Sequence, residues 1–338
     1  MISRQDRFST MAHTVRSAET AVAAGPDSVG AQPPVAIRVE KLRKTYEDVE
    51  ALAGVTFEVR AGEIFGVLGP NGAGKTTLIE ILEGLRLAES GTATVLGVDV
   101  PKHLDTIRDR IGIAMQKMAL PPLLTVQETT RLYAVIYPRS QRPDALIASV
   151  GLEEKRHTLI HHLSGGQLQR LTVALALVGH PSILFLDEPT SELDPQGRRT
   201  LWDMLLDPQK RMDRTVVLTT HQMEEAQHLC NRVAILDHGH ILAIGSPSEL
   251  IDQYCPGHVI RFTTQPNADF RGCFAPVERR ALSPTRDAVT VRAKALEPAM
   301  EVVMAARLEG RCTVEDLRVE RMTLEDVFLH LTGRRIRD

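Results

Sequence analysis

The chain has 338 residues, 43% hydrophobic and 25% charged, with a formal net charge of -3 and a pI near 6.5. That balance excludes an intrinsically disordered chain, and the length suggests two or three compact units. The charge gives no reason to expect a clustered positive face, so sequence-independent nucleic-acid binding is not expected.

Cys230, Cys255, Cys273 and Cys312 are scattered without a Cys-x-x-Cys pair, which points to free thiols rather than a zinc site or redox dithiol. No run reaches the roughly 18 apolar residues that a membrane-spanning helix needs. Residues 1–34 are polar and Ala-rich, punctuated by Gly25-Pro26 and Pro33-Pro34, and read as a flexible leader without a secretory h-region.

From Val35 the pattern changes. Residues 36–42 and 55–59 have strand character, and Ile64–Leu68 is a short apolar run ending at Gly69, as a buried central strand would. An amphipathic helix is predicted over 168–178, with apolar runs at 183–186 and 215–220. Strands alternating with helices imply a largely parallel sheet covered on both faces. Residues 233–236 and 241–244 flank Asp237-His238-Gly239-His240 as a hairpin, and the first domain, 35–250, is expected to close there. Beyond it, strand-like runs at 259–262, 289–291 and 314–319, a helix near 298–308 and a last helix over 323–331 with its exit at Gly333 make a small α+β domain, 251–338. The apolar stripe Leu324, Val327, Phe328 and Leu331 is expected to pack mainly within that small domain.

Gly69-Pro70-Asn71-Gly72-Ala73-Gly74-Lys75-Thr76 fits G-x-x-x-x-G-K-[ST] and sits after a buried strand and before a helix. Glycines let backbone N–H groups wrap phosphate oxygens, the helix start adds its positive end, Lys75 reaches the outer phosphates and Thr76 can hold Mg²⁺. Asp187 and Glu188 end the run 183–186, at the strand edge where open α/β sheets bind ligands. Asp187 suits a magnesium shell and Glu188 suits a base for an attacking water; an ordinary solvated strand end has the same sequence. Leu163-Ser164-Gly165-Gly166-Gln167 opens a helix, with an N-cap serine as the plain alternative.

Taken in order, these three motifs resemble the ATP-binding subunit of an ABC transporter, a resemblance strongest over about 35–250. It implies a P-loop NTPase of ABC type: a mixed, largely parallel core sheet with helices, an antiparallel β subdomain and a helical subdomain at about 117–180. The resemblance also implies cofactors ATP and Mg²⁺ and a site built from Tyr46 on adenine, the P-loop through Thr77, Gln116 at the metal, Asp194 in the loop after the Asp-Glu pair, and His221 at the γ-phosphate. Ser164, Gly165, Gly166 and Gln167 would cover ATP on another subunit in a homodimer or heterodimer. A separate polytopic membrane permease is the implied partner, with this chain peripheral on the cytoplasmic face of the membrane. Glu192 departs from the glycine common at its place. Met322-Thr323-Leu324-Glu325-Asp326-Val327-Phe328-Leu329-His330-Leu331-Thr332-Gly333 and Leu120-Pro121-Pro122-Leu123-Leu124-Thr125 are similar to daunorubicin-resistance-like exporters, which implies efflux of a hydrophobic compound, drug or lipid. Rival readings are a soluble ATPase acting on ribosomes or nucleic acid, and a regulatory ATP-binding module with little turnover. His157 and His161 lack a third metal ligand, and His221-Gln222-Met223-Glu224-Glu225 lacks the second histidine of a zinc-protease motif.

Overall fold

The computed structural model describes residues 33–333 apart from 101, 117, 138–139, 208–213 and 269–276. The expected leader therefore lies, save its last two residues, outside the described part, as does Cys273.

Strands β1 (Val35–Tyr46), β2 (Val49–Arg60), β4 (Ser90–Val95) and β5 (Val98–Asp99) form an antiparallel sheet ordered β2-β1-β4-β5. The second sheet has six strands: β3 (Ile64–Leu68), β6 (Ile111–Ala114), β7 (Ile183–Asp187), β8 (Thr215–Thr220), β9 (Arg232–Asp237) and β10 (His240–Gly245). Its order is β10-β9-β3-β8-β7-β6, parallel except for the hairpin partner β10.

The short apolar runs in the sequence have a direct cause. Phe65 and Val67 of β3, Ile183 and Phe185 of β7, and Val217 of β8 point into the core shared with the antiparallel sheet and helix α1 (Lys75–Leu82). Ile64, Leu68, Leu184, Leu186, Val216 and Leu218 point into the opposite core. A strand buried on both faces has no polar side to alternate with. Each large side chain so buried contributes about 1.5–3 kcal/mol relative to exposure.

The opposite core is roofed by helices α2 (Val126–Ile136), α3 (Pro143–Ser149), α4 (Gly165–Ala176), α5 (Pro195–Leu206), α6 (Met223–Leu229) and α7 (Pro247–Tyr254). Thr125 and Glu128 close a capping box on α2, and Ser246 and Glu249 close one on α7.

After α7 comes a third sheet: β11 (His258–Thr264), β12 (Val277–Ser283), β13 (Arg286–Ala293) and β14 (Glu315–Arg321), ordered β12-β13-β11-β14, with helix α8 (Leu296–Leu308) packed in its own core. The final helix α9 (Leu324–Thr332) is capped by Thr323 and stops at Gly333 in the left-handed region. Its stripe corrects the expectation from sequence. Leu324, Val327 and Phe328 are buried in the core that holds Ala226, Leu229 and Leu250, so α9 packs back onto α6 and α7 rather than within the small domain. The amide of Leu324 donates to Gln227 Oε1 at 3.1 Å and anchors the start of the helix there. The unfilled apolar surface beside α6 and α7 draws the stripe away from the third sheet.

Candidate functional site

Neighbouring parallel strands bring the predicted residues to one sheet edge. Leu68 of β3 pairs with Thr220 of β8, Thr219 pairs with Asp187 of β7, and Leu186 pairs with Ala114 of β6. The loops leaving these strands begin with Gly69, His221, Glu188 and, after Met115, Gln116. Four chain segments far apart in sequence therefore open at the same carboxyl edge, the usual ligand edge of such sheets.

The loop after β3 is shaped for an anion. Gly74 precedes α1 at φ 105° with no side-chain cap, so the first amides of α1 are uncommitted, and the first turn carries no acidic residue. A Cβ on Gly69 would stand 2.2 Å from the Leu236 carbonyl oxygen, and one on Gly74 would stand 2.2 Å from that of Ala51, so only glycine fits either place. Pro70 is half-buried, Asn71 and Gly72 are exposed, and Ala73 is buried beneath them, its carbonyl accepting from the Gly239 amide of the β9–β10 turn at 3.0 Å. Lys75 is 5% exposed, and its Nζ donates to the carbonyls of Gly69 at 2.9 Å and Pro70 at 3.1 Å. Burial holds its amine below the ordinary lysine range despite the neighbouring Glu188.

Glu188 is the meeting point of the edge. Its Oε1 lies 3.4 Å from Lys75 Nζ and 3.2 Å from His221 Nδ1, the latter not aligned as a hydrogen bond, and its Oε2 accepts from Gln116 Nε2 at 3.4 Å. The backbone is held by donation of its amide to Thr219 Oγ1 at 3.0 Å, at φ 47°, a left-handed conformation unfavourable for glutamate. Asp187 accepts from Thr219 Oγ1 and, at 3.4 Å, from Thr76 Oγ1. Burial raises the Asp187 carboxyl, with Thr219 opposing. A carboxylate beside a threonine hydroxyl is the hard-oxygen set that Mg²⁺ prefers, so Asp187 and Thr76 fit that ion, with Gln116 close by on Glu188. Thr77, half-buried, follows Thr76 in the first turn of α1.

Other predicted residues sit elsewhere. Ser164 caps α4: its Oγ accepts from the Gln167 amide at 3.3 Å, while Gln167 Oε1 accepts from the Ser164 amide at 3.0 Å. Gly165 and Gly166 face Glu192 and Leu193 of the same chain. Among the described residues no hydrogen bond or ion pair joins 164–167 to the P-loop. Asp194 caps α5 by accepting from the Gly197 amide at 2.7 Å. Tyr46 ends β1 with the cations of Lys44 and Arg86 over its ring, at 5.3 and 5.1 Å.

The sequence matches the ABC transporter family over residues 52–191. Over 314 residues it is 39% identical to the Nod factor export ATP-binding protein I of Rhizobium meliloti (strain 1021), covering 91% of each chain. This chain belongs to the ATP-binding subunits of ABC transporters. A relative of the same description from Cupriavidus pinatubonensis (strain JMP 134 / LMG 1197) is 36% identical over 89% of this chain and 92% of its own. Among solved structures, an ATP-binding subunit of an ABC transporter aligns with TM-score 0.59 and 28% identity, covering 64% of this chain and 92% of that one. A dimeric ATP-binding cassette in a post-hydrolysis state bound to ADP and Pi aligns with TM-score 0.57 and 26% identity, covering 62% and 98%.

The ABC subunit is thus an ATPase with the fold its motifs implied. Thr219, which bonds both Asp187 and the Glu188 amide, escaped the sequence reading. The available signal was its place in the strand next to the Asp-Glu strand, one step before the Thr220-His221 turn.

Proposed function

We propose that the chain hydrolyses ATP as half of a head-to-tail pair, with itself or a close relative, and so drives efflux of a hydrophobic compound, drug or lipid through a separate polytopic subunit. The observation that carries this reading is Glu188 held between Lys75, His221 and Gln116. Lys75 exchanges the carbonyls of Gly69 and Pro70 for phosphate oxygens, which adds charged partners to its buried amine beside Glu188. Glu188 takes the proton of the attacking water as its oxygen bonds to the γ-phosphorus, and the bond to ADP breaks. His221 orients the γ-phosphate, and the Tyr46 ring, already flanked by the cations of Lys44 and Arg86, stacks on adenine. Thr76, Asp187 and Gln116 would hold Mg²⁺, which would supply charge neutralisation on the phosphates. Ser164, Gly165, Gly166 and Gln167 complete the site of the other subunit, with Asp194 setting the start of α5 beside them.

In this reading 35–250 is the nucleotide-binding domain, with its helical subdomain at about 117–180, after a leader at 1–34. Residues 251–338 are an accessory domain. Export is favoured by the names of the relatives, which concern Nod factor export, and by the tail motif of the daunorubicin-resistance-like branch. A separate membrane partner, reached peripherally from the cytoplasmic face, is supported by the apolar side of α2: Val135 is 86% exposed and Ile136 67%, with Leu123 76% exposed ahead of the helix. No helix among the described residues is long and apolar enough to cross a membrane.

The test is purification from native membranes in mild detergent, followed by ATP-driven transport in vesicles containing whatever polytopic protein is recovered. Val135→Asp should release that protein while sparing nucleotide binding. Recovery of ribosomes or nucleic acid in its place would support the soluble alternative.

A further inference from the structure

Behind the catalytic edge lies a buried polar cluster that the chemistry above does not use. Its centre is Glu225 on α6, one turn beyond His221 and 1% exposed. Both carboxylate oxygens are buried and neither closes a hydrogen bond. Around it stand Thr220 at the end of β8, Thr190 in the loop after Glu188, and Trp202 and Arg198 on α5. Thr190 Oγ1, Trp202 Nε1 and Arg198 Nε are themselves buried and unpaired. The Thr220 hydroxyl accepts from the Gln222 amide at 2.9 Å, which leaves its own proton to donate.

Donors and acceptor therefore converge on one point at hydrogen-bonding range without a well-aligned bond between them. A carboxyl kept only for packing would gain stability by closing at least one of these bonds, because leaving both oxygens unmatched in the interior is costly. The elements that supply the donors lead straight to the hydrolytic groups. The Thr190 carbonyl accepts from the Leu193 amide at 3.1 Å, and the Ser191 hydroxyl donates to the Glu188 carbonyl at 3.0 Å, so Thr190 sits in the turn that carries Glu188. Thr220 immediately precedes His221, and its carbonyl accepts from the Gly69 amide at 3.2 Å.

We infer that Glu225 is a positioning residue for ATP hydrolysis: when the site closes on nucleotide, its carboxylate gathers Thr190, Thr220 and the Trp202 indole and sets the Glu188 turn and the His221 arm in one register. This rests on the assignment of Glu188 and His221 to hydrolysis. Small shifts of the two loops suffice, since the groups already face one another across a packed interior. Closing the bonds couples the loop that follows the general base to the strand that presents the histidine.

The experiment compares full-length Glu225→Leu, Glu225→Gln, Thr190→Val and the Glu225→Leu/Thr190→Val double variant by steady-state ATPase, ATP binding and thermal melting. Glu225→Leu should melt no lower than the parent and bind ATP within about twofold, while kcat falls about tenfold or more at unchanged KM. Glu225→Gln, which keeps one acceptor, should recover part of that loss. The Thr190 and Glu225 effects should be less than additive, because both remove the same link. Parental kcat in a folded Glu225→Leu variant, or strictly additive effects, would overturn the role. If Glu225→Leu does not fold, the other two single variants decide, and full activity in both rejects it. Failure of the underlying assignment has a separate mark: Glu188→Gln would then keep its turnover.

Discussion

Glu192 folds back over the first residue of α4, with its Oε2 2.9 Å from where a Cβ on Gly165 would stand. A carboxylate at that end of the helix is favoured by the dipole and by the Gly165 and Gly166 amides, which the Ser164 cap does not engage. In the proposed pair the same helix end receives phosphate held by the other subunit, so the side chain and the nucleotide compete for one place. In a Glu188→Gln background, Glu192→Gly should lower the ATP concentration for half-maximal dimerisation about threefold or more, with less difference at high salt. Sedimentation across an ATP titration reads this directly. Superimposable curves for the two proteins at both salt concentrations would show that the carboxylate leaves the helix end at no cost.

Binding and turnover should separate in the P-loop and in the strand after it. Lys75→Ala removes the buried cation proposed to answer the phosphates and should abolish ATP binding at micromolar nucleotide. Glu188→Gln keeps the size of the side chain and its contact with Gln116 while removing the base, so binding should persist and kcat should fall about 100-fold or more. Equilibrium nucleotide binding and phosphate release, measured on the same preparations, distinguish the two defects.

Glu83, at the end of α1, is 3% exposed, and its carboxyl is pushed up to about 8 by burial, with Asp187 and Glu80 adding to the shift. A folded value above the unfolded one means the fold favours the neutral acid. The stability this provides is fully present below about 4.5 and is lost as pH rises through about 8. Glu83→Gln should therefore match the parent near pH 4.5 and exceed it by roughly 2–4 kcal/mol at pH 9 in nucleotide-free protein. Urea denaturation at the two pH values checks the sign, and an advantage confined to acid pH would reverse the account.

Removal of the tail is expected to cost stability. Phe328 is 1% exposed and belongs to the core under α6 and α7, so Phe328→Ala should destabilise the fold by about 3–5 kcal/mol. Truncation after residue 250 should expose that surface and lower the melting temperature even though every P-loop and signature residue is retained. An unchanged melting temperature in the truncated chain would mean that α9 detaches freely.

The readable part of the candidate site was the part written contiguously. Gly69 to Thr76 is a loop whose function depends on its own backbone, so its residue types must stand in order. The same holds for Ser164 to Gln167 at a helix start and for Asp187-Glu188 at a strand end. Strands β3, β7 and β8 were legible because double burial leaves uninterrupted apolar runs. Strand β12 was not: it is exposed along nearly all its length, and Arg279 and Arg280 offer no alternation to read. Helix α2 carried a Thr125-to-Glu128 cap that could have placed its start. The Glu225 cluster, the Glu192–Gly165 contact and the docking of α9 depend on which distant surfaces meet, and nothing local in the sequence encodes that.

The left-handed backbone at Glu188 sets the interests of the fold against those of the chemistry. Glycine or asparagine would occupy φ 47° with less strain, yet neither could serve as the base proposed for Glu188. A library selected only for heat resistance should accordingly enrich Glu188→Gly and Glu188→Asn, and every such survivor should be a nucleotide-binding protein that no longer turns over. If Glu188 has its proposed role, durability and turnover are opposed at this one residue.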